Sequence, residues 1–382
     1  MTAADRVEAT LAEVYAQGVG KRVAPGPAPA RAAVPGARVP LAALAGSGPF
    51  GAAVADVLVD VLTPLRWEPL NPFNDHRGYP SPRATYLVDV HLVTDGGRWP
   101  VDPPRRALLG ASAPALDDVV VLAVEGHPER LSVGYGDLAA ALAELETGHL
   151  LAALAERADQ YGLAVESHVD GLLVRWSGAP GHPGPVPRRS SGLGPRGLHA
   201  DPRPLPAATA RAVIAAAVSA VPGSPSAGAP LRVAVGIGNV TGIPDGWYRG
   251  GDSRLLRPAP AMAEAQAGFG YPRSTIDVAG MNLAVVITAD VAGEVREHGA
   301  EAYPRLLRAA GAAVQHAATA AAERGMFCRP VRSVSEPALE SACEAPPEHD
   351  LLYVALAGRT RVVGFDYDLR PLARSPQPGT TR

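Results

Sequence analysis

An internal repeat constrains this chain more than any other feature: two stretches of its sequence follow one structural plan. The first runs from Tyr79-Pro80-Ser81-Pro82-Arg83 into the β-rich Leu87-Val88-Asp89-Val90-His91-Leu92-Val93. It passes the turn residues Asp95-Gly96-Gly97-Arg98-Trp99 and reaches a second apolar run, Val119–Val124. The spacing of Leu138, Leu142 and Leu145 then predicts a helix over Asp137–Tyr161, stopped by Gly162. The second stretch repeats that order. Pro225-Ser226-Ala227-Gly228 leads to a strand at Leu231–Ile237, a turn at Asp245-Gly246-Trp247, a strand at Leu283–Thr288, and a helix at Glu301–Arg324 stopped by Gly325. Five elements in the same order describe a duplicated unit rather than two Ala-rich stretches alike by chance. The expected class is α/β, of the α+β kind, in two related halves.

Residues 173–203 are dense in Pro, Gly and Arg and read as the connector between the halves. The chain therefore divides into an N-terminal helix and Pro/Ala-rich arm (1–45), a first half (46–175), a second half (176–370) and a tail (371–382). Val7, Leu11 and Val14 carry the helical spacing of the first segment, and Leu41–Leu65 is helical with a break at Gly46-Ser47-Gly48-Pro49. The 382 residues suit two such units, and with an aromatic share of only 5% the core must be built of Ala, Val and Leu.

Charge and composition exclude several classes of function. A net charge of −3 argues against nucleic acid as a partner. No apolar run approaching a membrane span is evident, and the early Asp5 does not suit a signal peptide, so no membrane partner and a cytoplasmic location are expected. Cys328 and Cys343 do not make a disulfide framework, and no His or Cys spacing matches a metal site. Gly236-Ile237-Gly238 follows a strand but lacks the helix and acidic residue of a dinucleotide fingerprint. Lys21 is the only lysine, so the body of the chain offers no catalytic amine.

A more specific pattern begins at Pro187-Arg188-Arg189-Ser190-Ser191. It continues through Asp201-Pro202-Arg203-Pro204, the predicted helix Ala207–Val221 and the Pro-Ser turn, to Gly238-Asn239-Val240-Thr241-Gly242-Ile243-Pro244-Asp245-Gly246-Trp247. Ala302-Tyr303-Pro304-Arg305-Leu306-Leu307, Ala310-Gly311, Gln315 and Leu352–Arg359 complete it. In this order the segments resemble the nitroreductase superfamily of flavoproteins, and within it the SagB-type azoline dehydrogenases of thiazole/oxazole-modified peptide and thiopeptide pathways. The likeness covers residues 187–363 well and 75–172 more loosely.

The resemblance implies a nitroreductase-like fold whose halves form an intramolecular pseudo-dimer, with FMN between them. It places the FMN phosphate on Arg188, Arg189 and Ser190, with Arg359 and Arg361 as further basic residues, and the opposite wall on Pro80, Ser81 and Arg83 of the first half. Guanidinium forks suit a dianionic phosphate. No Arg-Arg-Ser segment precedes residue 75, which implies one flavin per chain. The family's Lys-Tyr pair falls on Gly134-Tyr135 in the first half and Glu297-His298 in the second, leaving Tyr135 as the catalytic candidate. His149, after Gly148, reads as a helix-packing residue, and Leu306, Ala310, Ala313, Ala317 and Ala321 as a close-packed stripe.

The implied activity is FMN-dependent oxidation of peptide azolines to azoles. Its partners would be an azoline-containing precursor peptide and a cyclodehydratase partner protein. Two alternatives remain open from sequence: an NAD(P)H-dependent nitro/quinone reductase, and a flavin-poor scaffold that binds a peptide-modifying enzyme.

Overall fold

The computed structural model describes residues 36–68, 73, 76–131, 134–169, 171–192, 198–219, 223–361 and 366–370. The helix expected over residues 4–17, most of the arm and the tail 371–382 lie outside the described residues. After a 3-10 turn at Leu41–Ser47 comes helix α1 (Gly48–Leu62), so the expected break falls where the chain changes from one helix type to the other.

Two antiparallel sheets account for the repeat. The first contains β1 (Arg38–Pro40), β3 (Val88–Thr94), β4 (Gly97–Asp102), β5 (Ala107–Leu109), β6 (Val119–Gly126), β7 (Leu163–His168) and β8 (Gly171–Trp176). The second contains β10 (Arg232–Ile237), β12 (Gly246–Arg249), β13 (Leu255–Pro258), β14 (Leu283–Ala289), β15 (Met326–Val331) and β16 (Asp350–Arg359). Their strand orders are β1-β5-β4-β3-β6-β8-β7 and β13-β12-β10-β14-β16-β15, while β2 (Arg66–Trp67) pairs with β17 (Tyr367–Asp368) and β9 (Leu205–Pro206) with β11 (Val240–Thr241) outside them. Without β1, and with strands taken in chain order, the two orders are the same. The duplication read from five elements therefore extends to the complete sheet.

One boundary moves. The connector was expected from residue 173, but Gly171–Trp176 forms β8, paired to β6 through Val120↔Val174 and Leu122↔Leu172. Leu172 and Val174 alternate inward with 1% exposure each, a period-two signal too short to stand out beside the Pro- and Gly-rich residues that follow.

Each half contributes one long helix to a central layer: α2 (Leu138–Gln160) and α6 (Ala302–Ala322) pack on one another. Their contact is reciprocal. A Cβ on Gly148 would lie 1.9 Å from the Arg308 carbonyl oxygen, and a Cβ on Gly311 would lie 2.1 Å from that of Leu145. Each glycine thus receives the backbone of the opposite helix three residues before the other glycine, as a two-fold axis between the halves requires. Leu306, Ala310, Ala313, Ala317 and Ala321 of α6 are all buried. Gly148→Ala should cost about 1–3 kcal/mol of stability or more, because carbonyl backbone cannot yield as a side chain does. An unchanged denaturation midpoint would show that the helices do not meet there.

The seam also corrects the expectation that no segment is long and apolar enough to span a membrane. Leu41–Leu62 and Leu138–Gln160 both pass by length and composition. In α2 the apolar residues are consumed by the seam and the first sheet: Leu145, Leu150 and Leu154 are at most 1% exposed.

Candidate functional site

The Pro-Ser turn of the first half sits against the basic loop that precedes the second. The Cys328 amide donates to the Ser190 carbonyl at 2.9 Å, tying the extended segment around Arg188-Arg189-Ser190 to strand β15. That anchor turns Arg189 inward, where it is 6% exposed. Its Nη2 donates to the Tyr79 carbonyl at 3.2 Å and its Nη1 to Ser191 Oγ at 3.3 Å, while Nε has no partner. Burial, reinforced by the Arg66 charge, lowers its pKa to about 10.

A second buried guanidinium approaches from the first half. Arg77, immediately before the turn, is 3% exposed and lies 3.8 Å over the Tyr86 ring. Its Nε and Nη2 have no hydrogen-bond partner. No carboxylate lies within salt-bridge distance of Arg77 or Arg189 among the described residues. Two buried cations without counter-ions cost several kcal/mol unless an anion joins them. The donor set therefore fits a phosphate.

The turn itself is held from below. Ser81 Oγ accepts from the Tyr86 amide at 2.7 Å and donates to Glu146 Oε2 at 2.6 Å. Glu146 is 1% exposed on α2, and burial raises its pKa to about 7, against the lowering effects of Ser81 and Arg77. Beyond the turn, Arg83, Ala84 and Tyr86 have φ of 53°, 52° and 54°, left-handed values that side chains avoid. Three such residues in four positions store backbone strain directly after the turn.

Tyr135, half-buried, has the Arg83 guanidinium 5.5 Å from its ring centroid. The catalytic candidate and one predicted cofactor contact are thus neighbours. Pro80 is buried in the turn beside them. Arg188 lines one cleft with Arg66, His76, Arg77 and Arg189, and pairs with Asp366 at its rim. Ser190 Oγ accepts from the Gly192 amide at 3.0 Å. Arg359 ends β16 with its backbone bonded to Asn282 and Asp201, and Arg361 is exposed beyond it. The structure thus brings Arg188 and Arg189 to one cleft with Arg77, sets Arg189 against the turn at the Tyr79 carbonyl and Arg83 against Tyr135, and among the described residues shows no contact from Arg359 or Arg361 to either group.

His149 is a packing residue as expected. It is 1% exposed, its Nε2 lies 3.2 Å from the Tyr353 hydroxyl, and burial lowers its pKa to about 3, which keeps it neutral. His298 ends a helix at Val291–His298, near Glu294 at 3.6 Å. Sequence reasoning missed Arg77 and Glu146. Glu146 had a signal: a carboxylate between Leu145 and Gly148 on the buried side of an apolar helix. Arg77 had none, since a single arginine before a turn is ordinary surface composition.

No protein-family model and no curated protein matches the sequence. Among solved structures the chain is similar to a putative nitroreductase from Anabaena variabilis, with a TM-score of 0.72 and 12% identity over 94% of this chain and 100% of that one. Two others match about half of it. They are a putative nitroreductase from Ralstonia eutropha (TM-score 0.34, 21% identity, 47% of this chain and 89% of that one) and the E. coli microcin synthetase McbBCD complex with truncated pro-MccB17 bound (TM-score 0.36, 14% identity, 45% and 70%). The first alignment runs through both halves, and this chain has the nitroreductase-like fold.

Proposed function

We propose that this chain is an FMN-dependent oxidoreductase that oxidises peptide azolines to azoles. The observation that carries the flavin part is the pair of buried guanidinium groups, Arg77 and Arg189, brought from the two halves to one Pro-Ser turn with no counter-ion among the described residues. Arg189 and Arg77 would hold the phosphate, with Arg188 and Ser190 beside it on the same loop. Pro80 and Ser81 form the wall contributed by the first half. Arg359 and Arg361 add positive charge at the end of β16. FMN, when bound, supplies the hydride-accepting chemistry.

The azoline part rests on the resemblance of the segments from Arg188 to Arg359 and on Tyr135. Its phenolic oxygen would carry the ring proton away, with the Arg83 guanidinium 5.5 Å from its ring centroid holding the ring in place. The substrate would be an azoline-containing precursor peptide, with a cyclodehydratase as the partner protein that makes it.

FMN released from the purified protein is expected at one equivalent per chain. A ratio near two would reveal a phosphate site in the reciprocal cleft, and a colourless protein that takes up no FMN would support a scaffold role instead. Azoline peptide with oxygen present should then yield azole. If NAD(P)H reduces the flavin and no azole forms, the nitro/quinone reductase reading replaces this one.

A further inference from the structure

The reciprocal cleft, on the second half's Pro-Ser turn, has no basic loop among the described residues, yet it is not chemically empty. His316 on α6 is 2% exposed. Its Nε2 lies 3.0 Å from Ser224 Oγ and 3.3 Å from Ser226 Oγ, the two hydroxyls of that turn. Its Nδ1 is hydrogen-bonded to Glu156 Oε1 on α2. Thr319 Oγ1 donates to the other Glu156 oxygen at 3.0 Å and fixes the carboxylate. A hydroxyl, an imidazole and a carboxylate are thus linked in series, each oriented by the next. Ser226 also lines a cleft of about 320 Å³, whose walls include Val218, Leu231, Val233 and Ala313, with Arg232 and Arg249 at its edge, the latter paired with Asp252. That volume suits a small ligand.

We propose that Ser226, His316 and Glu156 form a nucleophilic triad that cleaves small carboxylic esters in this cleft. Such constellations are recognised by geometry and role, not by fold or order in the chain. With its Nδ1 proton directed at Glu156, His316 presents an Nε2 lone pair to the turn. Ser226 is the nucleophile, because it is the hydroxyl that reaches the cleft; Ser224 is 2% exposed and lies 3.1 Å from Ser226 Oγ, where it steadies it. The 3.3 Å separation from the base is of the looser kind found before a substrate is bound.

In the reaction, Ser226 Oγ bonds to the ester carbonyl carbon as its proton passes to His316 Nε2. The bond from that carbon to the alkoxide oxygen breaks, and the departing alcohol takes the proton from His316. Water then repeats the sequence on the acyl-serine, releasing the carboxylic acid and restoring the Ser226 hydroxyl. The apolar walls would take the acyl chain. Nothing in this chemistry depends on flavin.

The test uses the full-length protein and diisopropyl fluorophosphate, which phosphorylates activated serines with loss of fluoride. One equivalent of adduct is expected, located on Ser226 by tandem mass spectrometry. His316→Asn should label about a hundred-fold or more slowly, with circular dichroism and the melting midpoint showing that it is folded. An absent adduct in the parent protein overturns the proposal without any variant. So does an adduct on another residue, or labelling of folded His316→Asn at the parent rate.

Discussion

Tyr135→Phe is expected to lower azole formation by about a hundred- to ten-thousand-fold while FMN stays bound, the usual cost of losing one positioned acid–base group. The substitution keeps the ring, and with it the contact to the Arg83 guanidinium 5.5 Å from the ring centroid. Only the hydroxyl goes. No lysine stands anywhere beyond Lys21 to take over the proton. Glu146, with a pKa of about 7, is suited to proton transfer by its value but is 1% exposed beneath Ser81. Single-turnover oxidation of an azoline peptide, followed at the flavin band, separates the chemical step from binding. Oxidation at the parent rate would make Tyr135 a packing residue and end its catalytic assignment. His298→Ala, on a helix end 43% exposed, should leave that rate unchanged.

Replacing Arg188 and Arg189 together by Ala should weaken FMN binding by on the order of a hundred-fold or more, since two charge-assisted partners of the phosphate are lost. Arg189 carries the larger share. It is the buried member, aimed at the Tyr79 carbonyl, whereas Arg188 is 57% exposed and engaged with Asp366. Arg189→Met separates binding from folding. In the protein without flavin, a buried guanidinium lacking a counter-ion is replaced by an apolar chain of similar length, a change that is often neutral or stabilising. The melting midpoint of the flavin-free protein should therefore hold or rise while flavin affinity collapses. Equilibrium dialysis against FMN, read beside the melting curve, tests both. Undiminished FMN content in the double variant would remove the phosphate from this loop and place it elsewhere.

The repeat was legible because its signals are local. Alternating Val and Leu mark β3, β6, β10 and β14, and the Ala-rich helices end at glycines, so period and punctuation suffice to find them. The strand Gly171–Trp176 was lost for the same reason, since its short alternation runs directly into a Pro- and Gly-rich connector. Gly148 and Gly311 could be read as helix glycines, but not as the two points where each helix admits the other's backbone.

What the sequence by itself determined is the order of elements in each half and the duplication, because turn chemistry and periodicity act between neighbours in the chain; the candidates Arg188, Arg189, Ser81 and Tyr135 came from the family resemblance of the segments that carry them. Only the tertiary structure decided which of them meet. Arg189 reaches the Tyr79 carbonyl across a sequence separation of 110, and Arg308 reaches Glu144 across 164. Burial decided the rest. The isolation of Arg77, the raised pKa of Glu146 and the linkage of Ser226, His316 and Glu156 arise from the packing of one half on the other. Desolvation and hydrogen bonding depend on everything that surrounds a group in space, and a linear sequence does not contain that surrounding.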